Sequence, residues 1–283
     1  MHHTTSNDPL APGDDLTGRT EIPLRWAGSK KRSLPHLRGR CPVSYDKYVE
    51  LFAGSACLFF TLAPGTAHLN DNNPYVIDLY RAMQIDPQVV YQKFLEIPRN
   101  RDEYYRVRSA LSQQTDLFTR SAHFYYLNRN CFNGIYRTNR LGQFNVPYSD
   151  SRVQSYLTLE QFVACSSQLR HISLSCMDFE DACRENLSAR TFVYLDPPYY
   201  VPDKRTFVEY SAKHFAEVDF ARLSTLLELI DATGAWFLMS YPDCPLVRTL
   251  SDRWRSDSIP VRRTVASRAS FRQNTTELLI SNF

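Results

Sequence analysis

The tetrapeptide Asp196–Pro197–Pro198–Tyr199 directly follows the apolar run Phe192–Val193–Tyr194–Leu195. A short apolar run that ends in a turn reads as a buried strand. Ligands of open α/β sheets bind outside the carboxyl ends of such strands. The two prolines stiffen the backbone and remove two amide donors. The Pro197 carbonyl is then a fixed acceptor beside the anionic acceptor of Asp196, and Tyr199 adds a flat face. This set suits a ring-conjugated amine, whose lone pair is delocalised and poorly nucleophilic. Two acceptors on its hydrogens draw the nitrogen toward tetrahedral geometry and free the pair, so positioning is the main source of rate. The chemistry requires no metal and no covalent intermediate.

Other elements must hold these residues. Tyr48–Phe52 reads as a buried strand, Ala53–Gly54–Ser55 as a turn, Ala56–Leu62 as an apolar helix and Ala67–Asn70 as a second strand. Asp71 ends that strand, and Asn73–Pro74 fits a helix start. Strand, turn, helix, strand and acid is the βαβ grammar of a nucleotide-binding sheet. From residue 78 to 170 apolar residues such as Leu79, Met83, Phe94, Val107, Leu111, Phe124 and Leu127 recur at helical spacings, interrupted by a polar Asn- and Arg-rich loop at 129–152. The sheet pattern resumes with strands at Ile172–Leu174, Phe192–Leu195 and Trp236–Met239, a helix at Leu223–Ile230, and an antiparallel pair at Ser258–Val265 and Thr276–Ser281.

The fold class expected is α/β, a Rossmann-like sheet with a mainly helical insertion. Residues 21–77 and 171–283 form the sheet domain, 78–170 the insertion and 1–20 a polar, disordered leader. The 283 residues and 43% hydrophobic content allow an ordinary globular core. A net charge of +3 excludes a strongly basic nucleic-acid coat, but permits nucleic-acid binding through one basic face. The seven cysteines are odd in number and form no C-x-x-C pair, which argues against a zinc site or a disulfide framework. With neither a signal-peptide pattern nor a membrane-length apolar run, a cytoplasmic protein is expected.

Four separated segments, in order, resemble the Dam-type DNA adenine methyltransferases across residues 22–283. The first, Trp26–Ala27–Gly28–Ser29–Lys30, is similar to the family's W-A-G-G-K opening, with Ser29 for the second Gly. The second, Glu50–Leu51–Phe52–Ala53–Gly54–Ser55–Ala56, is similar to its cofactor loop, with Ala56 for the final Gly, where a methyl can narrow the pocket. The third centres on Asp71. The fourth runs from Tyr126 to Tyr148 and resembles the target-recognition segment. The resemblance implies methyl transfer from S-adenosylmethionine to the exocyclic N6 amine of an adenine flipped out of double-stranded DNA, with the insertion reading the flanking bases. Gly28, Glu50, Phe52, Gly54 and Asp196 belong to the implied cofactor site. Trp26 packs on the cofactor, Lys30 reaches its carboxylate end, Asp71 takes the ribose, and Asp178–Phe179 hold its adenine. The implied DNA contacts are Phe132, Asn133, Ile135, Arg137, Asn139 and Pro147, with Arg137 making a bidentate contact to guanine. GATC is the first guess for the site.

The Arg262, Arg263, Arg268 and Arg272 cluster is a candidate for phosphate contacts, and Tyr241 resembles an active-site neighbour. Two alternatives remain: cytosine N4 methylation, which needs the same acceptors, and a DNA-binding protein that has lost catalysis. Methylation at carbon 5 of cytosine is disfavoured, since the sequence contains no Pro-Cys pair. A monomer is expected, with a cognate restriction enzyme left open as a partner.

Overall fold

The computed structural model describes residues 21–149, 155–199, 215–262 and 274–283. The leader and the side chains of Arg262, Arg263, Arg268 and Arg272 lie outside the described residues. Seven strands form one sheet: β1 (Lys47–Glu50), β2 (Ala67–Asn70), β3 (Ser173–Ser175), β4 (Thr191–Leu195), β5 (Trp236–Pro242), β6 (Arg255–Arg262) and β7 (Asn274–Ser281). Their order is β3-β2-β1-β4-β5-β7-β6. The first five are parallel, and β7 runs antiparallel between β5 and β6. The chain leaves β1 toward β2 on one side and returns in β4 on the other, so the switch point of the sheet lies between β1 and β4. Their carboxyl ends carry Glu50 and Asp196.

Among the described residues there are ten α-helices: α1 (Leu34–Arg38), α2 (Cys57–Leu62), α3 (Pro74–Ile85), α4 (Pro87–Leu95), α5 (Arg101–Ala110), α6 (Leu117–Asn130), α7 (Leu159–Leu169), α8 (Phe179–Asn186), α9 (Glu217–Ala232) and α10 (Pro245–Ser251). Strand alternation divides the core. Tyr48, Leu69, Phe192 and Tyr194 pack with α2, α3 and the helices α4–α7. Val49, Leu51, Val193, Leu195, Phe237 and Met239 pack with α8, α9 and α10. The central strands are apolar on both faces because both faces are covered.

The 78–170 segment is largely helical, as its periodicity predicts. The helix α3 begins at Pro74, with Asn73 accepting from the Tyr75 amide, and runs through position 78. The helix α3 packs with α6 and α7, so the insertion shares one apolar core with the sheet. The sequence reading did not foresee α8 or α10. Between α6 and α7 the recognition segment folds back on itself through bridges from Cys131 to Tyr148 and from Thr138 to Phe144. No helix among the described residues is long and apolar enough to cross a membrane.

Candidate active site

A cavity of about 650 Å³ opens at the switch point. Trp26, Gly28, Lys30, Glu50, Phe52, Gly54, Asp71, Asp178, Phe179, Asp196, Pro197, Pro198 and Tyr199 all line it. Six separated parts of the described chain converge there: five lie at or near a strand end or in the loop that precedes the sheet, and the sixth, with Phe215 and Arg222, lies at the start of α9.

The floor is the turn after β1. Gly54 has φ +47°, and a Cβ at that position would lie 2.8 Å from the Trp26 ring. Only glycine combines that backbone with so close an approach. The Gly54 amide donates to Asp71 Oδ2 (2.7 Å), and the Asn73 amide donates to Asp71 Oδ1 (2.8 Å). Tyr80 donates to the Gly54 carbonyl at 2.8 Å. Gly28, by contrast, has φ +85° and open space around its missing Cβ, so its role is conformational. Ser29, the departure in the opening segment, accepts from Ser55 Oγ at 3.2 Å and ties that loop to the floor. Ala56 also adopts a left-handed conformation, with φ 48°. Its methyl is fully buried in the core and is not on the cavity wall, so it does not narrow the pocket.

One wall is aromatic. Phe52 and Phe179 lie 5.3 Å apart between centroids, and Phe215 meets both at 6.4 Å. Asp178 caps α8 by accepting from the Glu180 amide, and pairs with Arg222 at 2.6 Å. The Arg222 guanidinium also lies over the Phe179 ring. Arg222 was not foreseen.

The opposite end holds a polar cluster around Lys30, which is 4% exposed. Its ammonium donates to Asp196 Oδ1 (3.0 Å), to Glu277 Oε1 (3.2 Å) and to the Tyr199 hydroxyl. The Tyr199 hydroxyl donates to Glu277 Oε1 at 3.1 Å, and the ring meets Tyr241 edge-on at 5.5 Å. Lys30 therefore serves the carboxylates of the site itself. The pairing of Leu195 with Met239 sets Asp196 beside Ser240, whose hydroxyl donates to Asp196 Oδ1 at 3.1 Å.

Burial opposes charge throughout this region. It raises Asp196 above the usual carboxylate range, against the pull of Lys30. It pushes Glu50 up to about 8, although Tyr48 donates to Glu50 at 2.8 Å. Asp71 rises to about 6, held back by the Gly54 and Asn73 amides. Burial also opposes the Lys30 charge, but Asp196, Tyr199 and Glu277 outweigh it and raise its pKa. Glu277, the residue most clearly missed from sequence, is 2% exposed and leaves Oε2 without a hydrogen-bond partner. The signal was a lone carboxylate at a buried position of the strand Thr276–Ser281.

The residues assigned to DNA form a separate group. Phe132 and Pro147 are exposed, and the Phe132 amide donates to the Pro147 carbonyl at 3.0 Å. Asn133 has φ 55°. Arg137 donates from Nε to Asn145 Oδ1 (2.8 Å) and from Nη2 to the Asn145 carbonyl (3.1 Å), which fixes its guanidinium plane. Asn139 builds the turn, with Oδ1 accepting from the Leu141 and Gln143 amides. Ile135 is half-buried against the core.

Residues 26–266 match the family described as D12 class N6 adenine-specific DNA methyltransferase. The chain belongs to this family. It is similar to a type II methyltransferase of Lactococcus lactis subsp. cremoris, 32% identical over 95% of this chain and 99% of the relative. It is also similar to the DNA adenine methylase of Escherichia coli, 29% identical over 90% of this chain and 93% of that protein. A retron DNA adenine methylase of Escherichia coli is 27% identical over 90% of this chain and 89% of the relative. As an adenine-specific DNA methyltransferase, the protein acts on DNA and requires a methyl donor. Among the described residues, no group of three or more His, Cys, Asp or Glu could hold a metal ion.

Proposed function

We propose that the methyl donor is S-adenosylmethionine, held at the switch point, and that Asp196, Pro197, Pro198 and Tyr199 receive the adenine. The observation that carries this reading is the single cavity in which an aromatic slot, a strand-end acid and the Asp-Pro-Pro-Tyr turn meet. The donor set fits the cofactor. Phe52 and Phe179 offer faces to a purine, with Asp178 at their edge. Asp71 stands where an acid commonly takes ribose hydroxyls. Trp26, Gly28 and Gly54 leave a flat floor, and the acidic side chains of Asp71 and Asp196 complement a cationic ligand. A volume of about 650 Å³ lies in the range of small-molecule sites. Bound there, the cofactor supplies an electrophilic sulfonium methyl.

The chain's own residues do the rest. The Pro197 carbonyl and Asp196 Oδ2 accept the two amine hydrogens, while Lys30 and Ser240 hold Oδ1 in place. Tyr199 stacks on the base, its ring plane fixed by Glu277, Lys30 and Tyr241. Asp196 accepts the proton that the amine releases. Flipping the base costs about a few kcal/mol, which contacts of the recognition segment offset.

The 78–170 insertion is proposed as the recognition domain on the 21–77 and 171–283 catalytic domain. Phe132, Asn133, Ile135, Arg137 and Pro147 touch the DNA around the target, with Asn139 shaping the turn that presents them. GATC is the proposed site. The type II name of the Lactococcus relative supports a restriction-modification setting with a cognate restriction enzyme. We further propose that the chain acts as a monomer in the cytoplasm. Transfer of labelled methyl from S-adenosylmethionine to duplexes with GATC or a one-base variant tests this reading. Transfer to GATC alone is expected; equal labelling of both duplexes, or none, contradicts it.

A further inference from the structure

Two struts join the cofactor floor to the recognition segment, one from Trp26 and one from its neighbour Arg25. Trp26, which lies against Gly54, also stacks on Tyr136 with centroids 5.8 Å apart and planes 16° from parallel. Next to it, the Arg25 amide donates to Asn128 Oδ1 (2.9 Å) and Asn128 Nδ2 donates to the Arg25 carbonyl (2.7 Å). A Cβ on Gly134 would lie 2.8 Å from Arg25 Cβ, so the recognition segment is pressed onto this loop.

Tyr136 does not line the cavity. It sits between Ile135 and Arg137 and packs on Phe144 across the folded-back segment at 5.8 Å. It also meets Phe124 of α6 (6.2 Å) and Tyr75 of α3 (6.5 Å). Tyr75 lies two residues beyond Asn73, whose backbone amide donates to Asp71. One ring thus packs on Trp26 and on Tyr75, at the start of the helix that follows the Asp71 loop, and the next residue is Arg137.

We propose that Tyr136 is a positioning residue that couples occupancy of the cofactor cavity to reading of the DNA site. The proposal rests on the cofactor and recognition roles given above. A ligand packed on Trp26 and Asp71 removes freedom from both supports of Tyr136. DNA then has less to order when it engages Arg137, and such coupling is reciprocal.

The test is calorimetric titration of S-adenosylhomocysteine into the full chain, with and without a duplex carrying the motif that the protein methylates. In the wild type, DNA should tighten S-adenosylhomocysteine by about five-fold or more, and S-adenosylhomocysteine should tighten DNA by the same factor. Tyr136→Phe keeps the stack and should keep the factor. Tyr136→Leu should bring it close to one. If the leucine variant does not fold, Tyr136→Met fills a similar volume without an aromatic face and carries the same expectation. A merely structural role would weaken both bindings and leave the factor unchanged. A wild-type factor of one, or an unchanged factor in the leucine or methionine variant, overturns the proposal. Failure of the wild type to bind S-adenosylhomocysteine at all overturns the cofactor reading, and this proposal with it.

Discussion

At the scale of single residues, the site combines charges that sequence could name with partners it could not. Asp196 and Tyr199 were legible because their chemistry is local, a rigid turn after a strand. Glu277, Ser240 and Arg222 were not, because they meet Lys30, Asp196 and Asp178 only through pairing of β5 with β4 and β7 and through packing of α9. Asp196→Ala should lower methyl transfer by at least about a hundredfold, the scale for losing one transition-state partner. The fold should persist, as read by circular dichroism; retained turnover would remove Asp196 from the mechanism. Glu277→Gln leaves Lys30 to Asp196 and weakens the hold on Tyr199. A fall in kcat of about tenfold is expected, the worth of one charge-assisted hydrogen bond, with S-adenosylhomocysteine affinity unchanged. Equal losses in both would mean that Glu277 serves only stability. Arg137→Ala should relax selectivity at one base pair beside the target by about 1–3 kcal/mol, measured as relative kcat/KM on duplexes varied at that pair.

At the scale of elements, the strands were visible as apolar runs, but their order in the sheet was not. The short helix α10 carried a usable signal, a proline at its first position after Cys244. The short helix α8 offered only Asp178 as a cap, within a mostly polar sequence. Gly28 and Gly54 of the cavity loops looked alike in sequence and differ in space. Gly54→Ala meets the Trp26 ring as well as a left-handed backbone, whereas Gly28→Ala meets the backbone cost alone. Each should lose about 1–2 kcal/mol of stability from that backbone cost, seen in denaturant unfolding. Only Gly54→Ala should also lose most of its S-adenosylhomocysteine affinity. Matching affinity losses in the two variants would show that the approach of Trp26 does not matter.

At the scale of the whole molecule, the helical insertion was visible as a change of period, but its docking was not. Periodicity says which face of a helix is apolar, not which partner covers it. The shared core of Tyr48, Leu69, Phe124 and Phe162 makes the insertion part of one cooperative body. Two buried acids contribute to the pH dependence of that body. Glu50 and Asp71 stand at about 8 and about 6, from ordinary values of 4.5 and 3.8. Their folded pKa values are raised, so the native state holds more protons than the unfolded chain between those limits. Their contribution to stability is full below about pH 4 and is lost as pH rises to about 8. Glu50→Gln should flatten the fall in Tm between pH 6 and 8 without ligand; an unchanged slope would mean that Glu50 is ionised throughout.

The central claim is that this chain methylates adenine through the Asp-Pro-Pro-Tyr turn at the switch point. Single-molecule sequencing of DNA from methylation-free cells that express it tests that most directly. The expected result is N6-methyladenine at one short motif with the wild type, and none with Asp196→Ala. Absence of any modified base from folded wild-type protein, or methylation that survives Asp196→Ala, would contradict the account.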